Sequence, residues 1–427
     1  MAGSENGFVK RINVMRKYIS YTLVLAIIVS FGFGTKVGAE TKEDYFNRGL
    51  ANIKLGKYQQ AIELFNQVIR LDPKFAEAYV NRGFAYDNKG QYDKAISDFN
   101  KAIELNPKFA EAYLNRGVAY NDLGNHKQAI EDFNQAILLD PKDAKAYFNR
   151  GLSYIKSNKY QIAVKDLNQA IRLDLKNAKT YYVRASNFFI LKQYQQAIED
   201  YNQVILLDPK NSKAYEGRAV SYTGIDQYQQ AMEDFNQAIL LDPKNANAYL
   251  YRGVAYSELG NHQKAIKDYN QAIRLDPKNS NAYFNRGFSH NYLGNQTQAL
   301  EDFNQAILLE PNRANAYAGR GLSYTNLGKY QNALKDYNQA IRLDPKNATA
   351  YNGRGLTCNN LGKYQQAIED FNQALLLNPN YVDAYMNRGI AYVNLNQLEN
   401  ACTDFQKACE LGDCENKRLA KERGICK

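Results

Sequence analysis

The chain has 427 residues, more than one compact hydrophobic core usually holds, so its length favours several domains or a repeat array over a single globular domain. Its apolar content is ordinary, with 34 Tyr, 19 Phe and no Trp. The net charge of +10 at pH 7 would suggest a nucleic acid or another acidic partner if the basic residues were clustered.

Residues 1–39 are predicted to be a targeting segment. Basic residues up to Lys17 precede an apolar run from Tyr18 to Gly34, and small residues follow up to Ala39. That order predicts a secretory signal peptide cleaved near Ala39. The alternative is an uncleaved membrane anchor, for which a run of 17 residues is short. Either way, we expect the rest of the chain to be exported, as a periplasmic, extracellular or membrane-anchored protein that faces away from the cytoplasm.

A single period organises the chain from residue 42 to residue 415. An Arg recurs every 34 residues, a Tyr stands three residues before each Arg, and an Ala stands 13 residues after it. This period predicts eleven tandem repeats, which start at residues 42, 76, 110, 144, 178, 212, 246, 280, 314, 348 and 382.

Each repeat is predicted to form two antiparallel helices, which we name the first and second helix of the repeat. In residues 110–142, apolar and aromatic residues fall at helical spacing in two runs, and the sequence Leu-Gly-Asn separates the runs. A Pro closes most copies, as Pro141 does here. It is expected to end the second helix because the residue before a proline is disfavoured in the α conformation.

This pattern resembles the tetratricopeptide repeat (TPR). The shared features are a large aromatic residue, Gly four residues on, a Tyr-like residue three later, then Ala, an aromatic residue, Ala and a closing Pro. The resemblance covers almost the whole chain after residue 41. It implies an all-α, right-handed superhelical solenoid of antiparallel helix pairs. It also implies that the first helices line a concave groove, which in this family usually binds extended peptide segments.

The chain departs from the family pattern at its recurring Arg, where the family usually has Leu. Ten of the eleven copies carry an Asp 16 residues after this Arg, whereas the first copy has Leu64 there. The two positions lie roughly opposite each other in an antiparallel helix pair, and a partly buried Arg without a carboxylate would be costly. We therefore predict an ion pair within each of these ten repeats. Representative pairs are Arg82 with Asp98, Arg116 with Asp132, and Arg286 with Asp302.

The predicted ion pairs change how the net charge is interpreted. They neutralise most of the recurring Arg residues, and the remaining Lys residues recur evenly at the loops between repeats. A nucleic-acid groove would need a continuous basic stripe. A nucleic-acid partner is therefore disfavoured.

Four of the five cysteines lie in the last 26 residues. Cys402 and Cys409 occupy positions of the last second helix at which earlier copies have aliphatic residues that would pack on the next repeat. Because no repeat follows, residues 416–427 are predicted to form a capping helix in that place. On one helix, Cys402 and Cys409 would be about 10.5 Å apart, too far to bond to each other.

Antiparallel docking of the capping helix predicts the disulfides Cys402–Cys426 and Cys409–Cys414. Parallel docking would instead give Cys402–Cys414 and Cys409–Cys426. A zinc site is the other alternative, but the spacings lack a C-x-x-C knuckle, and an exported chain favours disulfides. The fifth cysteine, Cys358, is predicted to be a buried free thiol.

No catalytic constellation is evident in the sequence. The three His residues stand at positions where other copies have aromatic residues, and the chain has no Gly-rich phosphate-binding loop. We therefore predict a protein that is not an enzyme and that needs no cofactor or metal.

Asparagines on the first helices are the main candidates for a binding groove. An Asn amide offers both a donor and an acceptor, so it can bind a peptide backbone; the alternative is that these residues only hydrate the groove. The candidates are Asn47, Asn81, Asn115, Asn149, Asn285 and Asn387, which precede the recurring Arg, and Asn121, Asn291, Asn326 and Asn359 farther along the helix.

An apolar patch in the fifth copy is a further candidate. Tyr182, Val183 and Phe189 stand where other copies are more polar. They could anchor an apolar side chain of a partner, or they could be a local irregularity in packing.

Together these features predict an exported scaffold that binds extended segments of one or more partner proteins in its groove and assembles protein complexes. Two alternatives stay open, a nucleic-acid-binding helical solenoid and a regulatory subunit of an enzyme complex. A membrane contact is expected only through residues 1–39, if they are not cleaved.

Overall fold

The computed structural model describes residues 40–426. The predicted signal peptide or anchor lies outside the described residues, as does Lys427. The described residues form 23 α-helices and no strand. None of these helices is both long enough and apolar enough to cross a membrane.

The chain divides into two compact units, which meet between Lys142 and Asp143. The described part of the first unit holds three helix pairs. Its helices are α1 (Lys42–Lys54), α2 (Tyr58–Leu71), α3 (Ala76–Asp87), α4 (Tyr92–Leu105), α5 (Ala110–Asp122) and α6 (His126–Leu139).

The second unit holds eight helix pairs and one last helix. The helices are α7 (Ala144–Lys156), α8 (Tyr160–Leu173), α9 (Ala178–Ile190), α10 (Tyr194–Leu207), α11 (Ser212–Thr223), α12 (Tyr228–Leu241), α13 (Ala246–Glu258), α14 (His262–Leu275), α15 (Ser280–Tyr292), α16 (Gln296–Leu309), α17 (Ala314–Asn326), α18 (Tyr330–Leu343), α19 (Ala348–Asn360), α20 (Tyr364–Leu377), α21 (Val382–Asn394), α22 (Leu398–Glu410) and α23 (Glu415–Glu422). The all-helical, paired architecture predicted from the period is confirmed.

The turn inside each repeat is set by one residue in the left-handed conformation. Seven of the eleven copies have Gly there, such as Gly124 with φ of 80°, and glycine adopts this conformation without steric cost. The other copies have Asn158, Lys192, Asp226 and Asn396, with φ between 57° and 59°. The same backbone turn therefore forms with or without glycine.

Second helices end in a shared way that does not depend on proline. In the third copy, Asp140 ends α6 with φ of −133° and ψ of 89°, and its Oδ1 accepts a hydrogen bond from the backbone N–H of Lys142. In the fourth copy, Leu175 replaces the proline, yet Asp174 has φ of −139° and ψ of 88° and accepts the equivalent bond from Lys176. The aspartate turn is thus sufficient to end the helix.

The core of a repeat is an aromatic ring packed on a glycine of the facing helix. Phe99 of α4 is fully buried, and a Cβ added to Gly83 of α3 would lie 2.7 Å from its ring. Ala95 and Ala102, one turn away on either side, are also fully buried. Small residues around each ring therefore let the two helices approach closely, which gives dense packing along the chain.

Each recurring Arg joins three helices. Arg82 of α3 donates from Nη2 to Asp98 Oδ1 at 2.6 Å and from Nε to Asp98 Oδ2 at 2.8 Å. Its Nη1 donates to Asn66 Oδ1 of the preceding second helix at 2.6 Å, and its Cζ lies 5.5 Å from the centre of the Tyr79 ring. The structure contains the Arg–Asp pair in all ten repeats that have the Asp. The other two representative pairs, Arg116–Asp132 and Arg286–Asp302, also have Nη2–Oδ1 distances of 2.6 Å.

The first copy lacks this arrangement. Arg48 has Leu64 at the position of the aspartate, and its guanidinium contacts Glu40 instead. The Arg48 side chain is 55% exposed, compared with 19% for Arg82. The arginine is therefore half-exposed where the repeat offers no aspartate.

The C-terminal helix caps the last repeat through two disulfides. Cys402 of α22 is bonded to Cys426, and Cys409 is bonded to Cys414. Ala420 of α23 is buried against Phe405 of α22. Helix α23 ends at Glu422, before the predicted end at residue 427, and Gly424 follows with φ of 68°. Cys358 is a buried free cysteine.

Candidate functional site

The largest cleft in the described part of the chain lies in the second unit, on the first helices α15, α17, α19 and α21. Its volume is about 600 Å³. Apolar and aromatic side chains form most of its surface, namely Phe284, Phe288, Leu322, Leu356, Met386, Tyr337 and Tyr381. Polar side chains line the rest, namely Asn315, Thr349, Asn352, Asn387 and Asp383.

Two successive repeats create this cleft because their first helices carry small side chains at one place. Most copies have a large residue followed by Asn before the recurring Arg, as in Phe284–Asn285. The ninth copy has Ala318–Gly319 there, and the tenth has Asn352–Gly353. A Cβ added to Gly319 would lie 2.6 Å from the ring of Phe303 on the preceding second helix, and one added to Gly353 would collide with the ring of Tyr337. The glycines thus let aromatic rings from the second helices approach the open face of the first helices.

Hydrogen bonds fix the polar wall of the cleft. Asn387 Nδ2 donates to Asn352 Oδ1 at 3.2 Å, and Asn352 Nδ2 donates to the Tyr381 hydroxyl at 3.3 Å. Asn352 is only 8% exposed. The three side chains are therefore held in place before any ligand arrives, which lowers the entropic cost of binding.

Asp383 supplies the charge of the cleft. It is exposed on the first turn of α21 and is the charged residue among the described side chains that line the cleft. Burial raises the pKa of Tyr337 and of Tyr381, so both phenols stay neutral at physiological pH. The cleft therefore offers apolar contacts, neutral hydrogen-bonding groups and one negative charge.

The predicted groove asparagines have several different roles. Among the ten, Asn387 is the one that lines the large cleft. Asn81 and Asn149 donate to the backbone carbonyl four residues earlier on their own helices, at 2.8 and 3.0 Å. Asn115 and Asn285 are half-buried, and Asn47 and Asn326 are exposed.

Three other predicted asparagines make contacts within the protein. Asn291 is buried; it donates to Gly319 O at 3.4 Å, and its Oδ1 accepts from Ser323 Oγ at 2.8 Å. Asn359 donates to the backbone carbonyl of Asn387 at 3.0 Å. Asn121 Oδ1 lies 3.0 Å from His126 Nδ1. Asn291 and Asn359 thus join neighbouring first helices.

The apolar patch of the fifth copy takes part in a second, smaller cleft of about 390 Å³. Tyr182 and Phe189 line this cleft together with Tyr251, whereas Val183 is half-buried beside it. Lys213 and Glu216 bring both signs of charge to its wall.

The sequence reasoning did not find the large cleft. Its signal was the pair of successive copies with Ala-Gly and Asn-Gly before the Arg, which the search for repeated residues passed over because it looked for what the copies share. In the described part of the chain, no three His, Cys, Asp or Glu side chains are grouped as a metal site.

Comparison with known families matches this architecture. Sequence profiles described as tetratricopeptide repeat match residues 76–109, 110–143, 144–177, 178–211, 246–279, 268–301, 348–381 and 382–411. A profile described as TPR repeat matches residues 49–90, 225–260 and 321–361. The chain belongs to the tetratricopeptide repeat family. Proteins built of this repeat are generally non-enzymatic scaffolds, and this chain is a TPR scaffold suited to protein–protein interaction.

Solved structures with the same fold include the APC/C hetero-tetramer Cut9-Hcn1, which is 16% identical, with alignment over 90% of this chain and 96% of that chain and a TM-score of 0.52. Yeast Tom70 is 18% identical over 90% of this chain and 94% of that chain, with a TM-score of 0.44. YrrB, described as a TPR protein with an unusual peptide-binding site, is 24% identical over 43% of this chain and 95% of that chain, with a TM-score of 0.40. Among curated proteins, none matches the chain.

Proposed function

We propose that this protein is an exported scaffold that binds extended segments of partner proteins on the open face of its first helices. The observation that carries the proposal is the cleft on α15, α17, α19 and α21, which combines an apolar surface with fixed amides. Pockets that hold ligands are mostly apolar with a few fixed polar groups, as this cleft is. A nucleic acid fits poorly, because the charge in the cleft is the carboxylate of Asp383.

The cysteines of the tail support export. Two disulfides in a short terminal segment persist in an oxidising compartment, and cytoplasmic reductants would work against them. The basic and apolar segment before Ala39 has the composition of a secretory signal or an anchor.

Export is tested by intact mass of the protein purified from its native host, with and without reductant. A chain that starts near Glu40, or a full-length chain recovered in the membrane fraction, in either case with four thiols released only by the reductant, is the expected result. A full-length soluble chain with five free thiols would overturn the export proposal and return cytoplasmic partners to consideration.

Partner binding is tested by photo-crosslinking in the native host. A benzophenone amino acid is placed at Thr349 or at Asn281, which are exposed at the same repeat position on α19 and α15. The matched control is Leu308, which is 72% exposed on the second helix α16. We expect Thr349 and Asn281 to crosslink to one short segment of the same protein, and Leu308 to give no such product. Equal crosslinking from both faces, or none from the first helices, would contradict groove binding.

A further inference from the structure

We propose that the cleft on α15, α17, α19 and α21 binds a protein segment with two large apolar side chains at alternate positions and a Lys or Arg close beside them. This inference rests on the proposed function, since it names the chemistry that the open face of the first helices would recognise. The occupant is an extended stretch of a partner protein.

The volume of the cleft sets the size of the occupant. Its volume of about 600 Å³ equals that of some twenty water molecules, at roughly 30 Å³ for each water in the liquid. One aromatic side chain would leave much of this space filled with water. Two large side chains with the backbone between them would fill it. In an extended chain, residues i and i+2 project to the same side, so alternate residues can enter the cleft together.

The lining sets the chemistry of those two side chains. At one end the cleft presents Phe284 and Phe288, whose rings lie 4.9 Å apart in an edge-to-face arrangement. At the other end it presents Tyr381 and Met386. Aromatic rings prefer offset or edge-to-face neighbours, and a thioether adapts to irregular shapes. Phe, Tyr, Trp, Leu and Met therefore suit both ends better than small or branched polar residues do.

Asp383 sets the charge of the occupant. Its carboxylate is exposed at the edge of the cleft, and Asn281, Asn315 and Thr349 occupy the same repeat position on the three neighbouring first helices. The same position carries Lys in three earlier copies, Lys145, Lys179 and Lys213. A cation close to the apolar pair is thus favoured here and disfavoured over those earlier copies. This contrast assigns the segment to the cleft and to a defined register.

The test uses a phage-displayed library of linear twelve-residue peptides, panned against the full-length protein with its disulfides intact. We expect enriched peptides to carry two large apolar residues at alternate positions with Lys or Arg within three residues. Synthetic versions are then measured by fluorescence anisotropy against matched variants.

Three variants separate the cleft from the rest of the protein. Ala318→Leu refills the position with the residue that Leu114 and Leu250 represent in other copies, and at least a tenfold loss of affinity is expected. Asp383→Asn is expected to weaken peptides with Lys or Arg about threefold and to leave their Gln versions unchanged. Glu77→Gln, the same repeat position on α3 outside the cleft, should change neither. Thr349→Trp blocks the mouth from an exposed position, so it keeps the test decisive if Ala318→Leu lowers the melting temperature.

The outcomes distinguish this inference from the function it rests on. If selected peptides bind with unchanged affinity to Ala318→Leu and to Thr349→Trp, binding elsewhere on the chain is retained and the assignment to the cleft is wrong. Selected peptides without the alternate apolar pair, or with acidic residues in place of the cation, would also overturn it. If Thr349 and Asn281 give no crosslinked protein in the host and no peptide is enriched, the proposed function fails as well.

Discussion

Asp87 carries a buried oxygen that has no hydrogen-bond partner among the described residues. It lies at the end of α3, and the exposed Asp122 at the end of α5 adds a negative charge nearby. Burial, and then repulsion by Asp122, raise the pKa of Asp87 to about 6 from the ordinary 3.8. A carboxyl group with a raised pKa in the folded state favours folding when it is protonated. Its contribution is therefore complete below about pH 3.8 and is lost as the pH rises through about 6.

The substitution Asp87→Asn should therefore raise the melting temperature at pH 7.5 and change it little at pH 4. Asp122→Asn should act in the same direction at pH 7.5, but less, because it removes only the repulsion. Thermal unfolding of the two variants and the unmodified protein at both pH values measures this. An equal gain for Asp87→Asn at both pH values would show that its charge is not the cause.

The clamp formed by Arg252, Asp268 and Asn236 lets the value of the recurring Arg be measured. Arg252 Nη2 lies 2.7 Å from Asp268 Oδ1, and its Nη1 lies 2.7 Å from Asn236 Oδ1. Arg252→Leu leaves a buried carboxylate without its partner, which costs about 3 kcal/mol or more. Adding Asp268→Leu, the residue that Leu64 represents in the first copy, should restore most of this loss.

Urea unfolding fitted with a nearest-neighbour model of the repeats measures these changes. The matched control is Arg48→Leu at the same repeat position, where the exposed contact with Glu40 is worth about 1 kcal/mol or less. If the double variant is as unstable as Arg252→Leu alone, the arginine stabilises the repeat through Asn236 and its tyrosine, and the buried carboxylate is not the main cost.

The Arg–Asp pair could be predicted because both residues recur at a fixed distance, and two such rows are readily matched. The third partner could not, since the asparagine belongs to the preceding repeat. In Arg82, the bond to Asn66 crosses from one repeat to another. A pattern read inside one copy of the period cannot reveal a contact that depends on how two copies stack.

At the scale of elements, the left-handed turn residue explains why helix pairs form with and without glycine. Lys192 has φ of 58° and an exposed side chain, whereas seven other turns have Gly. A non-glycine residue in this conformation costs about 1–2 kcal/mol. Glycine loses about 0.5–1 kcal/mol more in conformational entropy on folding. Lys192→Gly should therefore stabilise the fifth repeat by about 0.5–1 kcal/mol.

Asn158→Gly is the matched comparison for Lys192→Gly. Asn158 occupies the same turn position with φ of 57°, and asparagine tolerates the left-handed conformation better than lysine does. Its replacement should therefore gain less, and urea unfolding of both variants measures the difference. A loss of stability for Lys192→Gly would mean that the lysine side chain makes a stabilising contact at the turn.

Helix ends show where element-level prediction succeeds and where it fails. The period and the turn residues predict each pair of helices well, since hydrophobic spacing and turn chemistry are local. Proline was expected to end the second helices, but α8 ends at Leu173 in the same conformation with Leu175 in place of proline. The aspartate at the turn, which the pattern also contained, is the local cause that both cases share.

At the scale of the whole molecule, repetition hides the cleft and reveals the fold. The eleven copies are recognised by what they share, and shared residues build the core. The cleft arises where Gly319 and Gly353 depart from the pattern in successive copies, so that rings from α16 and α18 reach the open face. Its presence depends on the stacking of four repeats, which no single copy encodes.

Repetition also multiplies one exposed apolar residue in the second unit. The second helices of four copies carry a leucine that is 71–74% exposed at one repeat position, namely Leu206, Leu240, Leu308 and Leu376. Other copies have Arg172, Arg274 and Arg342 at this position, so the fold accepts a charged residue there. Exposed leucines add little to stability, but they lower solubility.

Replacing all four leucines by Gln should therefore raise the protein concentration at which ammonium sulfate precipitates the protein, with the melting temperature unchanged within about 2 °C. The fourfold Leu→Met variant keeps the apolar area and is the control; it should precipitate like the unmodified protein. A melting temperature that falls by several degrees in the Gln variant would mean that these leucines are covered in the folded protein. In that case the second helices, like the first, would present a surface that the molecule uses for binding, because an exposed residue stabilises a fold only through what covers it.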